Sequence, residues 1–165
     1  MNYPELPWLP PLPEHQRQIF LGHCTTADTL DEVLLDRVRE RRVLLVALGN
    51  FLSARHDVLR EVVEGALRIP DLTVVVAAGG RVAELADLAE DPRVVVESDV
   101  PQRALLPHVT AMVYHGGNNS FTECLAAGMP ALGLPFSSDQ FHIAHDTERS
   151  GAGLCLDLTP PHPRT

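Results

Sequence analysis

The sequence contains no lysine; its 13 basic residues other than histidine are all arginine. That absence removes a lysine nucleophile, a Schiff-base lysine and the lysine of a phosphate-binding P-loop. Basic charge is scarce altogether, and the formal net charge is −9. A nucleic acid is therefore not expected as the main partner, because phosphate backbones are held by clustered arginine and lysine. Cysteine is limited to Cys24, Cys124 and Cys155, far apart and without a C-x-x-C pair. Neither a zinc ribbon nor a thioredoxin-like motif is available, and the three are read as reduced structural thiols. No apolar run approaches the roughly 20 residues that span a bilayer. The N-terminus lacks the basic segment and apolar core of a secretory signal. A soluble, cytoplasmic chain is expected. No G-x-G-x-x-G follows the first apolar run, where Gly49-Asn50-Phe51-Leu52 stands instead. The dinucleotide fingerprint of dehydrogenases is thereby missing.

What is present suits one domain with a substantial core. Proline crowds both ends. Pro4, Pro7, Pro10, Pro11 and Pro13 fall in residues 1–22, which read as an extended linker or strap. Within it, Leu6, Trp8 and Leu9 suggest packing against something. Residues 160–165 read as a tail, and 23–159 as the domain between. Short apolar runs at 43–48, 73–78, 93–96, 111–114, 131–134 and 153–156 suit strands buried on both faces. Helical patterns are predicted at 54–67, 81–90, 102–106, 120–127 and 140–150. Gly128, with Pro130 beyond it, supplies a helix stop. Such alternation predicts an α/β fold, a doubly wound parallel sheet of Rossmann-like type with right-handed crossovers. Ligands bind such sheets outside the carboxyl ends of the strands. That rule selects the loops at Gly49-Asn50, Gly79-Gly80, 98–102, 115–119 and 136–139.

Within those loops, His115-Gly116-Gly117-Asn118-Asn119-Ser120 runs from a strand directly into a helix. Glycine permits close backbone approach, and a helix start offers unpaired N–H groups and partial positive charge. Together they form an anion site suited to a diphosphate, with His115, Asn119 and Ser120 as further donors. The same letters admit a plainer reading. Ser120-x-x-Glu123 fits a capping box that only satisfies the helix start. The glycines would then form a tight turn, and Asp139 would cap the helix that begins at Gln140. His142 and His145 lie three apart, but no ligand set accompanies them, and no metal is expected.

His115-Gly116-Gly117-x-Asn119-Ser120-x-x-Glu123, followed by Gly128-x-Pro130, Pro135 and Asp139-Gln140, resembles the signature of the nucleotide-sugar-dependent GT-B glycosyltransferases. These include the macrolide, antibiotic and plant secondary-metabolite enzymes. Pro101-Gln102 with Leu105-Leu106-Pro107-His108 resembles the start of that signature. The resemblance runs from about Val43 to Leu156 and matches the C-terminal, donor-binding half of the fold. It implies that His115 and the turn of Gly117, Asn118, Asn119 and Ser120 hold the diphosphate. Glu123 would accept from the ribose hydroxyls, and the loop of Val100 and Gln102 would cover the base. Asp139 and Gln140 would bind the donor sugar, while Gly49 and Asn50 would lie near the diphosphate.

Three positions depart from the family pattern. Asp99 stands where plant members carry a base-stacking tryptophan, Ile143 where asparagine is frequent, and Asn50 where serine or threonine is usual. The resemblance accordingly does not choose between UDP and dTDP. It implies an inverting transfer of a hexose to a small-molecule acceptor, without cofactor or bound metal. No catalytic residue is assigned within this sequence. The general base is expected in an N-terminal acceptor domain or a partner subunit. Two other readings stand beside it: the donor half of a two-subunit glycosyltransferase, and a non-catalytic nucleotide-binding or interaction module.

Overall fold

Six apolar segments become the strands of one parallel sheet. They are β1 (Arg42–Ala47), β2 (Leu72–Ala77), β3 (Val94–Glu97), β4 (Ala111–Tyr114), β5 (Ala131–Gly133) and β6 (Gly153–Cys155). The computed structural model describes residues 6–9, 11, 13, 17, 19, 29–49 and 55–157. The strand order is β3-β2-β1-β4-β5-β6, and every pair is parallel. The chain therefore builds outward from β1 in one direction and from β4 in the other. The loops leaving β1 and β4 part at that reversal and open a crevice.

Side chains alternate across each strand, so the two faces carry separate cores. On one face Val46, Val74 and Val76 pack under Leu59 and Val63 of α2 (His56–Ala66). On the other, Val43, Leu45 and Tyr114 pack under α1 (Glu32–Val38), α4 (Asn118–Ala127) and α5 (Gln140–Arg149). Leu45, Val46 and Leu59 are wholly buried. Each such side chain contributes roughly 1.5–3 kcal/mol by leaving water. A one-turn helix α3 (Gln102–Leu105) follows β3 and seats Leu105 in the second core.

Local structure departs from the sequence expectation in three places. The predicted helix at 81–90 is a pair of 3₁₀ segments, Gly79–Arg81 and Ala83–Glu90. Its apolar residues Val82, Leu85 and Leu88 recur every third position, which keeps one face on the core at three residues per turn. Helix α1 was not foreseen; Asp31 caps it by accepting from the Leu34 amide at 2.7 Å. Helix α4 begins at Asn118, two residues before the predicted start at Ser120.

The proline-rich N-terminal stretch contacts the domain where it is described. Leu6 is buried, and Trp8 and Leu9 pack beside it against the second core. The Trp8 indole donates to Asp146 of α5 at 2.6 Å. The Arg149 guanidinium lies 4.6 Å above the ring, a cation–π arrangement.

Candidate functional site

An open cleft of about 680 Å³ lies at the carboxyl ends of β1, β3 and β4. His115 leaves β4 at its floor. The imidazole is held between two glycines. A methyl group on Gly49 would come within 2.8 Å of its Cε1, and one on Gly117 within 2.5 Å of its Nε2. Gly49 also has φ +73°, a conformation that costs any residue with a Cβ. On its far side the turn abuts α5, where a Cβ on Gly116 would meet the Gln140 carbonyl oxygen at 2.4 Å. The histidine, the β1 loop and the α5 start are thus fitted to one another at backbone distance.

Burial pushes the His115 pKa below its ordinary value of 6.5; the Ala47 carbonyl and the charge of Asp139 act the other way. A depressed pKa keeps the ring neutral at pH 7, when one nitrogen donates and the other accepts. Gly117, which has no side chain of its own to cap with, provides the N-cap of α4. Its first-turn amides and the helix dipole face the cleft region beside the neutral ring.

The capping box does not form. Because α4 begins at Asn118, Ser120 occupies the third helical position and Glu123 lies a full turn inside the helix. Both turn to Gln102 instead. The Gln102 amide donates to Glu123 Oε2 at 2.6 Å and to Ser120 Oγ at 3.3 Å. Arg103 approaches the other Glu123 oxygen at 3.7 Å. Helix α3 is too short to be stable alone, yet it delivers two polar side chains to the opposite wall of the cleft.

The structure distributes the other sequence-selected residues unevenly. Gly49, Val100, Gln102, His115, Asn119, Ser120 and Glu123 line the cleft. Asn118 opens α4, where its carbonyl accepts from the Thr122 hydroxyl at 3.1 Å. Asp139 and Gln140 lie in the turn behind His115, outside the cleft lining. Asp139 makes no capping hydrogen bond. The Gln140 carboxamide oxygen instead accepts from the Phe136 and Ser137 amides at 3.0 and 3.2 Å and ties down the loop after β5. Asn50 lies outside the described residues.

Thr29, Asp99, Pro101 and Arg103 also line the cleft without having been selected from the sequence as binding residues. Asp99 and Pro101 belong to the 98–102 loop that the strand-end rule selects, and Asp99 is also a departure from the family pattern. Adjacency to Gln102 was the single available signal for Arg103. A smaller cavity of about 110 Å³ continues beneath Asp99 toward Ala77, Gly79 and Ser98.

Among the described residues no cysteine lines this cleft. Cys124 is buried against Met112, and burial raises its thiol to a pKa of about 12. Among the described residues, no group of three or more His, Cys, Asp or Glu side chains converges. His145 faces Asp157 at 3.7 Å. The arrangement offers a neutral imidazole, a helix start with a glycine N-cap and a carboxylate that can accept from hydroxyls.

The family model described as "UDP-glucoronosyl and UDP-glucosyl transferase" matches residues 10–160, and the chain belongs to that family. It is similar to an aclacinomycin-T 2-deoxy-L-fucose transferase from Streptomyces galilaeus, with 36% identity over 122 residues. That match covers 72% of this chain and 27% of the relative. Among solved structures, the kitacinnamycin glycosyltransferase superposes with a TM-score of 0.66 at 27% identity, covering 88% of this chain and 36% of that one. The spinosyn rhamnosyltransferase complexed with thymidine diphosphate superposes at 0.62 with 29% identity, covering 70% and 32%. The sheet is the Rossmann-like fold of GT-B glycosyltransferases. The chain spans 26–35% of the length of the first curated relatives. No helix among the described residues is long and apolar enough to cross a membrane.

Proposed function

We propose that this cleft holds the donor of a glycosyl transfer, a UDP- or dTDP-hexose. The neutral His115 ring, fixed between Gly49 and Gly117 at the start of α4, carries this reading. A diphosphate placed there meets the helix dipole and the first-turn amides of Gly117, Asn118, Asn119 and Ser120. His115 adds one N–H, and Gly49 borders the same space. Glu123, a turn further along α4, accepts from the ribose hydroxyls. The base extends toward Val100, Gln102 and the cavity beneath Asp99. Asp139 and Gln140, behind the histidine, lie on the side where the sugar emerges.

The transfer is an inverting displacement at the anomeric carbon. The acceptor oxygen forms the new bond while the bond to the β-phosphate oxygen breaks. Negative charge then develops on the departing diphosphate, where the helix start and His115 stabilise it. No metal or cofactor takes part. The acceptor, a small molecule, and the base that takes its proton are supplied by an N-terminal acceptor domain or a partner subunit. The similarity to a rhamnosyltransferase structure complexed with thymidine diphosphate and to an aclacinomycin-T 2-deoxy-L-fucose transferase supports this reading.

Titration calorimetry with UDP and dTDP at millimolar concentration tests it. At least one nucleotide is expected to bind with one site per chain. A folded sample that gives no heat with either would overturn the proposal.

A further inference from the structure

Glu123 is deeply set, with its side chain 8% exposed, and both of its oxygens are addressed from α3. Gln102 donates to Oε2, and Arg103, itself 18% exposed, stands 3.7 Å from Oε1. Among the described residues Arg103 is the only arginine that lines the cleft, and the chain has no lysine. The other ionisable groups there are Asp99, Glu123 and His115, whose burial favours the neutral ring. Without Arg103, the lining would hold two carboxylates against an incoming diphosphate. A buried carboxylate that loses its cation is also strongly destabilised.

We infer that Arg103 is a positioning residue: it neutralises Glu123 and fixes its carboxylate so that the cleft admits an anionic nucleotide and presents an acceptor to its ribose. The inference rests on the proposed donor site. Gln102 cannot replace the arginine, because an amide brings no charge. A lysine would restore the charge but replace the rigid guanidinium with a flexible ammonium.

A double-mutant cycle on the chain tests this, with UDP and dTDP as probes and thermal melting as the fold control. Arg103→Gln is expected to weaken nucleotide binding about tenfold, within the range for coupled neighbours. In a Glu123→Gln background the same change should cost less than about twofold, since no carboxylate remains to be neutralised. Arg103→Lys should recover part of the loss. An equal loss in both backgrounds would mean that Arg103 contacts the nucleotide itself, and would overturn the inference. A lowered melting temperature with unchanged affinity would overturn it in favour of a purely structural role. If Arg103→Gln fails to fold, the comparison of Arg103→Lys with and without Glu123→Gln decides the same point. Absence of binding by the unmodified chain would overturn both this inference and the proposed donor site, whereas normal binding with an additive cycle would overturn this inference alone.

Discussion

Gln102 and Glu123 meet across the cleft at 2.6 Å, one from the single turn of α3 and the other from the interior of α4. The contact shows what a ligand must do on arrival. A ribose hydroxyl seeking the Glu123 carboxylate must share it with the Gln102 amide or displace that amide. It also shows that Glu123 is not employed in starting its own helix.

Glu123→Gln should therefore separate binding from folding. Nucleotide affinity is expected to fall by about 1–3 kcal/mol, the range for an impaired polar contact. Any fall in melting temperature should come from the lost charge partner of Arg103, because Gln keeps an acceptor for Gln102 and the capping contribution of about 1 kcal/mol is not there to be lost. Calorimetry and thermal melts check the pair of outcomes. Unaltered affinity would remove Glu123 from the ribose site.

Glycine substitutions should sort by what stands opposite them. Gly49→Ala meets both a positive φ and the His115 ring, and is expected to cost about 1–3 kcal/mol. It should also displace the imidazole and weaken nucleotide binding. Gly65→Ala, in α2 with nothing within 4 Å of the added methyl, is expected to stabilise by about 0.5–1 kcal/mol. Urea unfolding of the two variants measures the contrast, and equal effects would contradict the packing described.

Acid should destabilise the fold through His115. Its folded pKa lies below the ordinary 6.5, so the unfolded chain binds more protons as pH drops through that value. Stability then falls with falling pH, starting near the ordinary histidine pKa and levelling off below the folded one. His115→Asn should flatten this limb in melts from pH 8 to pH 5. A bound diphosphate favours the protonated ring, so UDP should protect most at the acid end of the range. An unchanged slope in the variant would place the acid sensitivity elsewhere.

The loop after β5 should depend on one oxygen. Gln140→Ala removes the acceptor shared by the part-buried Phe136 amide and the exposed Ser137 amide, at a cost of about 0.5–1.5 kcal/mol. Gln140→Glu keeps the acceptor and should retain most of the stability. Hydrogen exchange at those two amides reads the difference directly, and slow exchange in the alanine variant would refute the assignment.

Much of the scaffold was legible because its signals are local. Apolar runs ending in glycine or proline located the strands, and Gln140 was read as the start of its helix. Other features depended on distant partners. Helix α1 buries only Leu34 and Val38 among charged neighbours, too little period to stand out. Val82, Leu85 and Leu88 looked helical, but their spacing of three fits a tighter turn. Ser120 and Glu123 formed a good capping pattern, and only the fold shows that Gln102 takes both side chains. Arg103 carried no motif; its significance arises from a helix brought alongside by the β3–β4 connection. The roles of Asn118, Asp139 and Gln140 toward a ligand belong to the proposed function rather than to the fold.

The His115 ring also has a mechanical consequence. It projects from the strand that founds one half of the sheet and is gripped by a glycine from the strand that founds the other. The ring is a dowel through the seam at which the winding direction changes. Displacing the ring would therefore disturb both wings of the sheet at the point where they meet.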